Sequence, residues 1–134
     1  MKLKNNTVLI TGGSSGIGLE LSKVFIQKGN KVIICGKSND KLMAAKKMMP
    51  EIITYQCDLA DSQQCFDFAG KIAANHPEMN ILINNAAIVN KIDFIHNENA
   101  VELAENEYRT NLIAPIRLIK MLFDTIRAHD DSAI

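Results

Sequence analysis

Short apolar runs alternate along the chain with segments whose apolar residues recur at helical spacing. Four runs are rich in β-branched residues and end at glycine or polar residues; they span Thr7–Thr11, Lys31–Cys35, Ile52–Cys57 and Asn80–Asn84. The two runs around Leu9 and Ile33 are almost continuously apolar, which is typical of strands covered on both faces. The pattern therefore predicts four strands of a buried parallel sheet.

The segments between the first three runs predict two helices. From Ile17, apolar residues follow the i, i+4, i+7, i+8 series of one helix face. Gly29 stands where a glycine commonly terminates a helix. A second helix is predicted from about Asn39 to a point before Pro50.

Two more helical segments follow. A third helix is predicted to begin at Asp61, with Gln64 as its capping-box partner. After a loop over residues 85–97, a long helix is predicted over 98–128, with a break near Asn111. Strands that alternate with helices form right-handed crossovers, so the order predicts an α/β fold with a doubly wound parallel sheet.

The predicted sheet is smaller than such sheets normally are. The last residues, Ser132–Ile134, are typical of a strand that is just beginning, whereas a doubly wound dinucleotide domain normally has six strands. We therefore expect one incomplete domain over residues 1–134, with about four strands in the order 3-2-1-4 and the start of a fifth.

Composition narrows the class of protein. The chain has 134 residues, 47% of them apolar, which is enough for one domain with a buried core. Its 15 basic and 15 acidic side chains cancel, which argues against a nucleic-acid or membrane-surface protein. It has three widely spaced cysteines and no apolar secretory segment, which favours a cytoplasmic protein with buried, unpaired thiols and no metal site.

The strongest chemical signal is the glycine-rich segment over residues 11–18, Thr-Gly-Gly-Ser-Ser-Gly-Ile-Gly. It follows the first predicted strand directly and opens the first helix. Glycines allow a sharp turn and a close approach to a ligand, and the first N–H groups of a helix attract negative charge. This context predicts a pyrophosphate site, with Gly18 allowing close contact between helix and sheet.

Four motifs, in order, resemble those of the short-chain dehydrogenases/reductases. The glycine-rich segment is followed by an aspartate after the third strand (Asp58), by Asn-Asn-Ala-Ala over 84–87 and by Asn111 within a long helix. The resemblance covers the whole chain but only the first half of the family fold, a Rossmann-type domain that precedes the catalytic Ser-Tyr-Lys region. Residues 77–86 and 109–115 are most similar to the DltE-like bacterial branch linked to D-alanylation operons.

The resemblance also implies roles for individual residues. It assigns the cofactor phosphates to Gly12, Ser14, Ser15, Gly16, Ile17 and Gly18. It assigns the adenine to Asp58 and Leu59, and the ribose and nicotinamide to Asn85, Ala86 and Ala87, with Ala87 in place of the family's glycine. Asn84 would tie the fourth strand to its neighbour. Without the other motifs, Asp58 is equally well explained as an ordinary turn aspartate.

Two residues after the second strand bear on the choice of nicotinamide cofactor. Enzymes that prefer NAD usually have an acidic residue there, bonded to the ribose 2′-hydroxyl. This chain has Gly36 followed by Lys37, so repulsion of a 2′-phosphate is removed and a cation is nearby. We therefore expect NADP(H) to be preferred, with NAD(H) still possible; the alternative is that Lys37 is an ordinary surface lysine.

Of the family's catalytic set, Asn-Ser-Tyr-Lys, the chain contains Asn111 alone. Neither Tyr55 nor Tyr108 has a lysine four residues later, so the 134 residues alone are expected to be inactive. Pro115 has no N–H to donate to the Asn111 carbonyl, which predicts a bend and a free buried carbonyl. In the family, the main chain of the matching asparagine holds a water of a proton relay; a simple proline kink explains the pattern equally well.

The sequence thus favours the cofactor-binding half of an NADP(H)-dependent oxidoreductase that acts on a small carbonyl or alcohol substrate. The alternative is a non-catalytic module that binds or senses a dinucleotide. A chain shortened from a longer protein is a third explanation. By the resemblance we expect a homo-oligomer, because the family usually pairs through the long helix and its successor.

Overall fold

The computed structural model of the chain describes residues 3–134, so Met1 and Lys2 of the N-terminal segment considered above lie outside it. Strands and helices alternate along these residues. The elements are β1 (Thr7–Thr11), α1 (Gly16–Gln27), β2 (Lys31–Gly36), α2 (Asn39–Met48), β3 (Ile53–Gln56), α3 (Ser62–Asn75), β4 (Ile81–Ile83), α4 (Ala100–Tyr108), a π-helical turn (Arg109–Ile113) and α5 (Ala114–Arg127).

The four strands form one parallel sheet in the order β3-β2-β1-β4, as predicted. Leu9, at the centre of β1, lies opposite Ile33 of β2 and Leu82 of β4. Beyond β4 the chain begins a fifth strand, because the Leu82 N–H donates to the Ala133 carbonyl at 3.1 Å. The α/β fold, the strand order and the start of a fifth strand are therefore confirmed.

Both faces of the sheet are covered, which explains the unbroken apolar runs of β1 and β2. Successive strand residues point to opposite faces. On one face Leu9, Ile33 and Leu82 pack with α3 and α5; on the other, Val8, Ile10, Val32, Ile34 and Ile81 pack with α1 and α2.

The amino ends of the strands are joined by buried asparagine side chains. The Asn6 amide donates to Asn30 Oδ1 at 2.9 Å, and the Asn80 amide donates to Asn6 Oδ1 at 2.9 Å. Asn80 Oδ1 also accepts from the Thr7 N–H at 3.0 Å. These bonds hold β1, β2 and β4 in register at the edge opposite the glycine-rich loop.

The predicted long helix is continuous but changes its hydrogen-bonding pattern at the expected place. Between α4 and α5, over Arg109–Ile113, the bonds become π-helical, and the Ala114 N–H donates to the Arg109 carbonyl five residues earlier. Pro115, which has no N–H, follows immediately. Between residues 3 and 134, no helix combines the length and the apolar character needed to cross a membrane.

All three cysteines are buried and free, as predicted for small apolar side chains. Burial raises the pKa of each thiol above its ordinary range, and raises the pKa of Cys57 to about 12. The thiols are therefore protonated and unreactive at neutral pH.

Candidate functional site

A cleft of about 360 Å³ lies at the carboxyl edge of the sheet, where ligands bind in open α/β sheets. Segments that follow all four strands meet there. Nine of the predicted site residues line it: Gly12, Ser15, Ile17, Lys37, Asp58, Leu59, Asn85, Ala86 and Ala87.

The floor of the cleft is formed by backbone, because two glycines leave no room for a side chain. Gly12 has φ +65°, and a Cβ there would lie 2.9 Å from the Ala86 Cα. A Cβ on Gly18 would lie 2.4 Å from the Gly12 carbonyl oxygen. Gly18 therefore lets α1 pack directly against Gly12, the residue that follows β1.

Gly16 differs from the other two motif glycines. Its φ of +55° favours glycine, but a Cβ there would meet nothing within 4 Å. Gly16 is exposed beside Glu20 and Val24 on the surface of α1, and it does not line the cleft. The geometry therefore explains Gly16 by its backbone conformation, not by the exclusion of a side chain from the cleft.

The N-terminus of α1 is left uncapped by side chains. Ser15 is the N-cap residue, and its hydroxyl makes no capping hydrogen bond. By contrast, Ser38 caps α2 and Asp61 caps α3 through side-chain oxygens. The first turn of α1 also has no acidic side chain, so its N–H groups and its positive dipole end are available to an anion in the cleft.

The strand-to-strand tie at this edge is made by Thr11 and Asn85. Thr11 Oγ1 accepts from the N–H groups of Asn85 and Ala86, both at 3.0 Å, and the Asn85 side-chain amide donates to the Thr11 carbonyl at 3.0 Å. The expectation that Asn84 makes this tie is wrong. The buried Asn84 Oδ1 has no hydrogen-bond partner in the described part of the chain.

An ion pair crosses one end of the cleft. Lys37 Nζ lies 2.7 Å from Asp58 Oδ2, with the Lys37 side chain 75% exposed and that of Asp58 27% exposed. The two residues follow β2 and β3, which are neighbours in the sheet. Predicted to act separately, they are therefore brought into direct contact by the fold.

Ser14 does not line the cleft, but it lies beside one wall of it. A Cβ built on Gly36 would be 2.9 Å from the Ser14 hydroxyl oxygen. Gly36 and Lys37 both line the cleft. A hydroxyl, a bare backbone segment and an ammonium group therefore lie close together at the end of β2.

Asn111 supports the opposite end of the cleft from outside. Its side-chain Oδ1 accepts from the Ile88 N–H at 2.9 Å, and its Nδ2 donates to the Ile88 carbonyl at 2.8 Å. Ile88 itself lines the cleft. Asn111 as a whole residue is exposed, and the predicted free main-chain carbonyl stays a prediction.

Four cleft residues were missed from the sequence: Cys57, Ile88, Asn106 and Thr110. Cys57 and Ile88 directly adjoin predicted site segments, so adjacency alone would have found them. Asn106 and Thr110 are four residues apart and share a helix face, but nothing in the local pattern indicates which face meets the loop after β4.

Comparison with known sequences agrees with this geometry. Residues 6–134 match the family model described as short chain dehydrogenase. The chain is 42% identical over 137 residues to a Bacillus subtilis (strain 168) protein named uncharacterized oxidoreductase DltE, a match that covers 100% of this chain and 53% of that protein. It is 35% identical over 118 residues to uncharacterized oxidoreductase YDL114W of Saccharomyces cerevisiae, covering 87% of this chain and 37% of the relative.

Comparison with solved structures gives the same result. A metagenomic short-chain oxidoreductase crystallised in complex with NADP superposes with a TM-score of 0.83 at 25% identity. That match covers 94% of this chain and 58% of the other. The chain thus spans about half the length of the relatives it matches. The fold, the cleft and the sequence matches together show that the chain belongs to the short-chain dehydrogenase family.

Proposed function

We propose that residues 1–134 form the NAD(P)-binding part of an oxidoreductase that uses NADP(H) in preference to NAD(H). The whole enzyme would act on a small carbonyl or alcohol substrate. The observation that carries the proposal is the uncapped N-terminus of α1, which opens from a loop of positive-φ glycines into the cleft. Such a helix end binds the pyrophosphate of a dinucleotide through backbone N–H groups.

The residues present fit an extended dinucleotide. At Gly12 and Gly18 the neighbouring segments pack so closely that a side chain would not fit. Because these glycines carry no side chain, a phosphate can approach the N–H groups of residues 13–18. Lys37 and Asp58 mark one end of the cleft, and Ala87 and Thr110 lie in its remaining wall. The solved relative that was crystallised with NADP supports the same kind of ligand here.

In this proposal each part of the cleft binds a different part of the cofactor. Asp58 accepts from the adenine amino group, and Leu59 lies beside the ring. Lys37 and Ser14 receive the ribose 2′-phosphate, because Gly36 places no carboxylate between them. Asn85, Ala86 and Ala87 follow the second ribose toward the nicotinamide.

The bound cofactor would donate or accept a hydride. The residues of this chain bind and orient the cofactor, and Asn111 contributes one group of the proton relay that leads to the reacting centre. The Asn111 side chain is engaged with Ile88, so its main-chain carbonyl is the group proposed to hold a relay water. The acid/base groups of the reaction are proposed to lie outside these 134 residues, so the whole protein is the proposed enzyme.

The test is a calorimetric titration of the chain with NADP⁺ and with NAD⁺. Replacing Lys37 with glutamine should lower the affinity for NADP⁺ by about tenfold, because one charge-assisted contact is lost. The affinity for NAD⁺ should change far less. Lys47→Gln is the matched control, since Lys47 is an exposed lysine of α2 outside the cleft.

Gly36→Asp is the complementary variant. The new carboxylate should repel the 2′-phosphate and accept from a 2′-hydroxyl, and should therefore move preference toward NAD⁺. The Cβ of the new aspartate would lie 2.9 Å from Ser14 Oγ, so the Ser14 hydroxyl must rotate away, which a serine side chain can do. A wild-type chain that binds neither dinucleotide would refute the proposal; equal affinities unaffected by Lys37→Gln would refute the NADP preference.

A further inference from the structure

The two charged side chains that line the cleft in the described residues are paired with each other. They are Lys37 and Asp58, with 2.7 Å between Nζ and Oδ2. One positive and one negative charge in contact leave this end of the cleft with no net charge. An anion that enters therefore meets a cation that is already neutralised.

The backbone on both sides of the pair is held by further hydrogen bonds. The Gln56 side-chain amide donates to the Lys37 carbonyl at 3.1 Å. The Asp58 N–H donates to Gln64 Oε1 at 3.0 Å, and Asp58 Oδ1 accepts from the Ala60 N–H at 3.1 Å. Asp58 is thus fixed by hydrogen bonds and mostly buried. The Lys37 side chain is exposed, so it is the partner that is able to move.

The pair treats the two nicotinamide cofactors differently. A ribose 2′-hydroxyl is uncharged and can lie beside the ion pair without breaking it. A 2′-phosphate is dianionic near neutral pH, so it must draw Lys37 away from Asp58 and must also lie close to the Asp58 carboxylate. Both effects act against the phosphorylated cofactor alone.

Building on the proposed function, we propose that Asp58 is a specificity-determining residue that competes with the ribose 2′-phosphate for Lys37. The Asp58 carboxylate lowers the ratio of NADP⁺ affinity to NAD⁺ affinity. Without it, Lys37 and Ser14 would produce a higher ratio. Adenine recognition does not distinguish the two cofactors, so this role is separate from any contact with the adenine amino group.

The test is Asp58→Asn, which keeps the Oδ1 acceptor for the Ala60 N–H and removes the charge. The ratio of NADP⁺ affinity to NAD⁺ affinity should rise about two- to fivefold, the range for releasing an exposed ion pair. Adenosine 2′,5′-bisphosphate and 5′-AMP should show the same rise in ratio, since they differ at the 2′ position only. The gain should shrink at an ionic strength of about 1 M, where charges are screened within about 3 Å.

The control is the same substitution in a Lys37→Gln background. There Asp58 has no lysine to compete for, so the gain in the ratio should be smaller than in the wild-type background, because only direct repulsion of the 2′-phosphate by Asp58 is then relieved. Asp58→Ser, which also removes the charge and retains an acceptor, should reproduce the gain and serves if the asparagine variant does not fold. An unchanged or lower ratio in the charge-removed variants, with both cofactors still bound, would overturn the competition and leave the proposed function standing. A wild-type chain that binds no dinucleotide would overturn both.

Discussion

Gly18 contributes to the site through the side chain it lacks. A methyl group there would lie 2.4 Å from the Gly12 carbonyl oxygen and 2.5 Å from Asn85 Nδ2. The same Asn85 amide bonds to β1, so the contact joins α1, β1 and the loop after β4. The close approach of three backbone segments at one residue forms the floor of the cleft.

Gly18→Ala should therefore destabilise the protein by about 1–3 kcal/mol, the range for an overpacked site. Gly70→Ala is the matched control within α3, where a Cβ would meet nothing within 4 Å. That variant should stabilise the protein by about 0.5–1 kcal/mol, because alanine loses less backbone entropy in a helix. Urea unfolding midpoints measure both, and equal midpoints would contradict the packing argument.

The π-helical turn and the loop after β4 form one unit through Asn111. Two hydrogen bonds join its side chain to the backbone of Ile88, and Glu107 accepts from the Asn90 N–H nearby. The wall of the cleft at Ile88 is therefore held by a helix distant in sequence.

Asn111→Ala should loosen this wall by removing both bonds. Hydrogen exchange at the Ile88 amide should accelerate about tenfold, which corresponds to the loss of roughly 1.4 kcal/mol. Asn111→Asp, which keeps the acceptor and loses the donor, should give a smaller increase. Unaltered exchange at Ile88 in the alanine variant would show that the loop is held by other contacts.

The contact between β3 and α3 contains a buried histidine. Tyr55 and His76 are hydrogen-bonded at 2.8 Å through the Tyr55 hydroxyl and His76 Nε2. Burial lowers the pKa of His76, Lys31 lowers it further, and Glu78, 3.8 Å from Nδ1, partly opposes the change. The neutral ring is therefore the form compatible with the fold.

A lowered histidine pKa makes stability depend on pH in a definite direction. The unfolded chain takes up a proton near pH 6.5 and the folded chain only at lower pH, so stability should fall as pH drops below about 6.5. The free energy of unfolding, measured by urea titration between pH 7.5 and about 5, should show this slope. His76→Gln should flatten the slope, and a wild-type slope of opposite sign would contradict the assignment.

At the scale of the whole molecule, all segments that line the cleft are placed by the sheet. The N-terminal edge is held by the asparagine bonds and the opposite edge by Thr11 and Asn85. The lining residues come from the ends of the strands and the loops that follow them, from the first turn of α1, and from α4 and the π-helical turn. The proposed binding and orientation of a cofactor would thus depend on these residues as a set.

A polypeptide of these 134 residues should bind the cofactor but should not reduce carbonyl compounds at enzyme-like rates. It lacks the Tyr-x-x-x-Lys pair that the family uses as acid and base. General acid catalysis contributes about 10²–10⁴-fold, and orientation contributes more. NADPH oxidation with a panel of aldehydes and ketones is the measurement. Enzyme-like turnover that disappears in Asn111→Ala would place the chemistry within these residues.

Local sequence patterns predicted the elements well, because two physical periods determine them. Strands buried on both faces required unbroken apolar runs. Helices required apolar residues three or four positions apart, which lie on one face of the helix. Helix ends were accurate where a specific residue sets them: Asp61 caps α3, and Gly29, with φ +79°, follows α1. The π-helical turn appeared where Pro115 cannot donate an N–H, although its bonding pattern was not foreseen.

What the sequence by itself determined is the alternation of strands and helices and the glycine-rich turn between β1 and α1, since these depend on local periods and on backbone freedom. The expected strand order came from the likeness to doubly wound dinucleotide-binding domains. Tertiary structure alone decided which side chains meet. Lys37 pairs with Asp58, and Asn111 holds Ile88, because each pair joins residues more than twenty positions apart whose distance depends on the packing of whole elements. For the same reason Asn85 rather than Asn84 ties the strands, because adjacent residues of an extended segment point to opposite sides and the packed sheet selects between them.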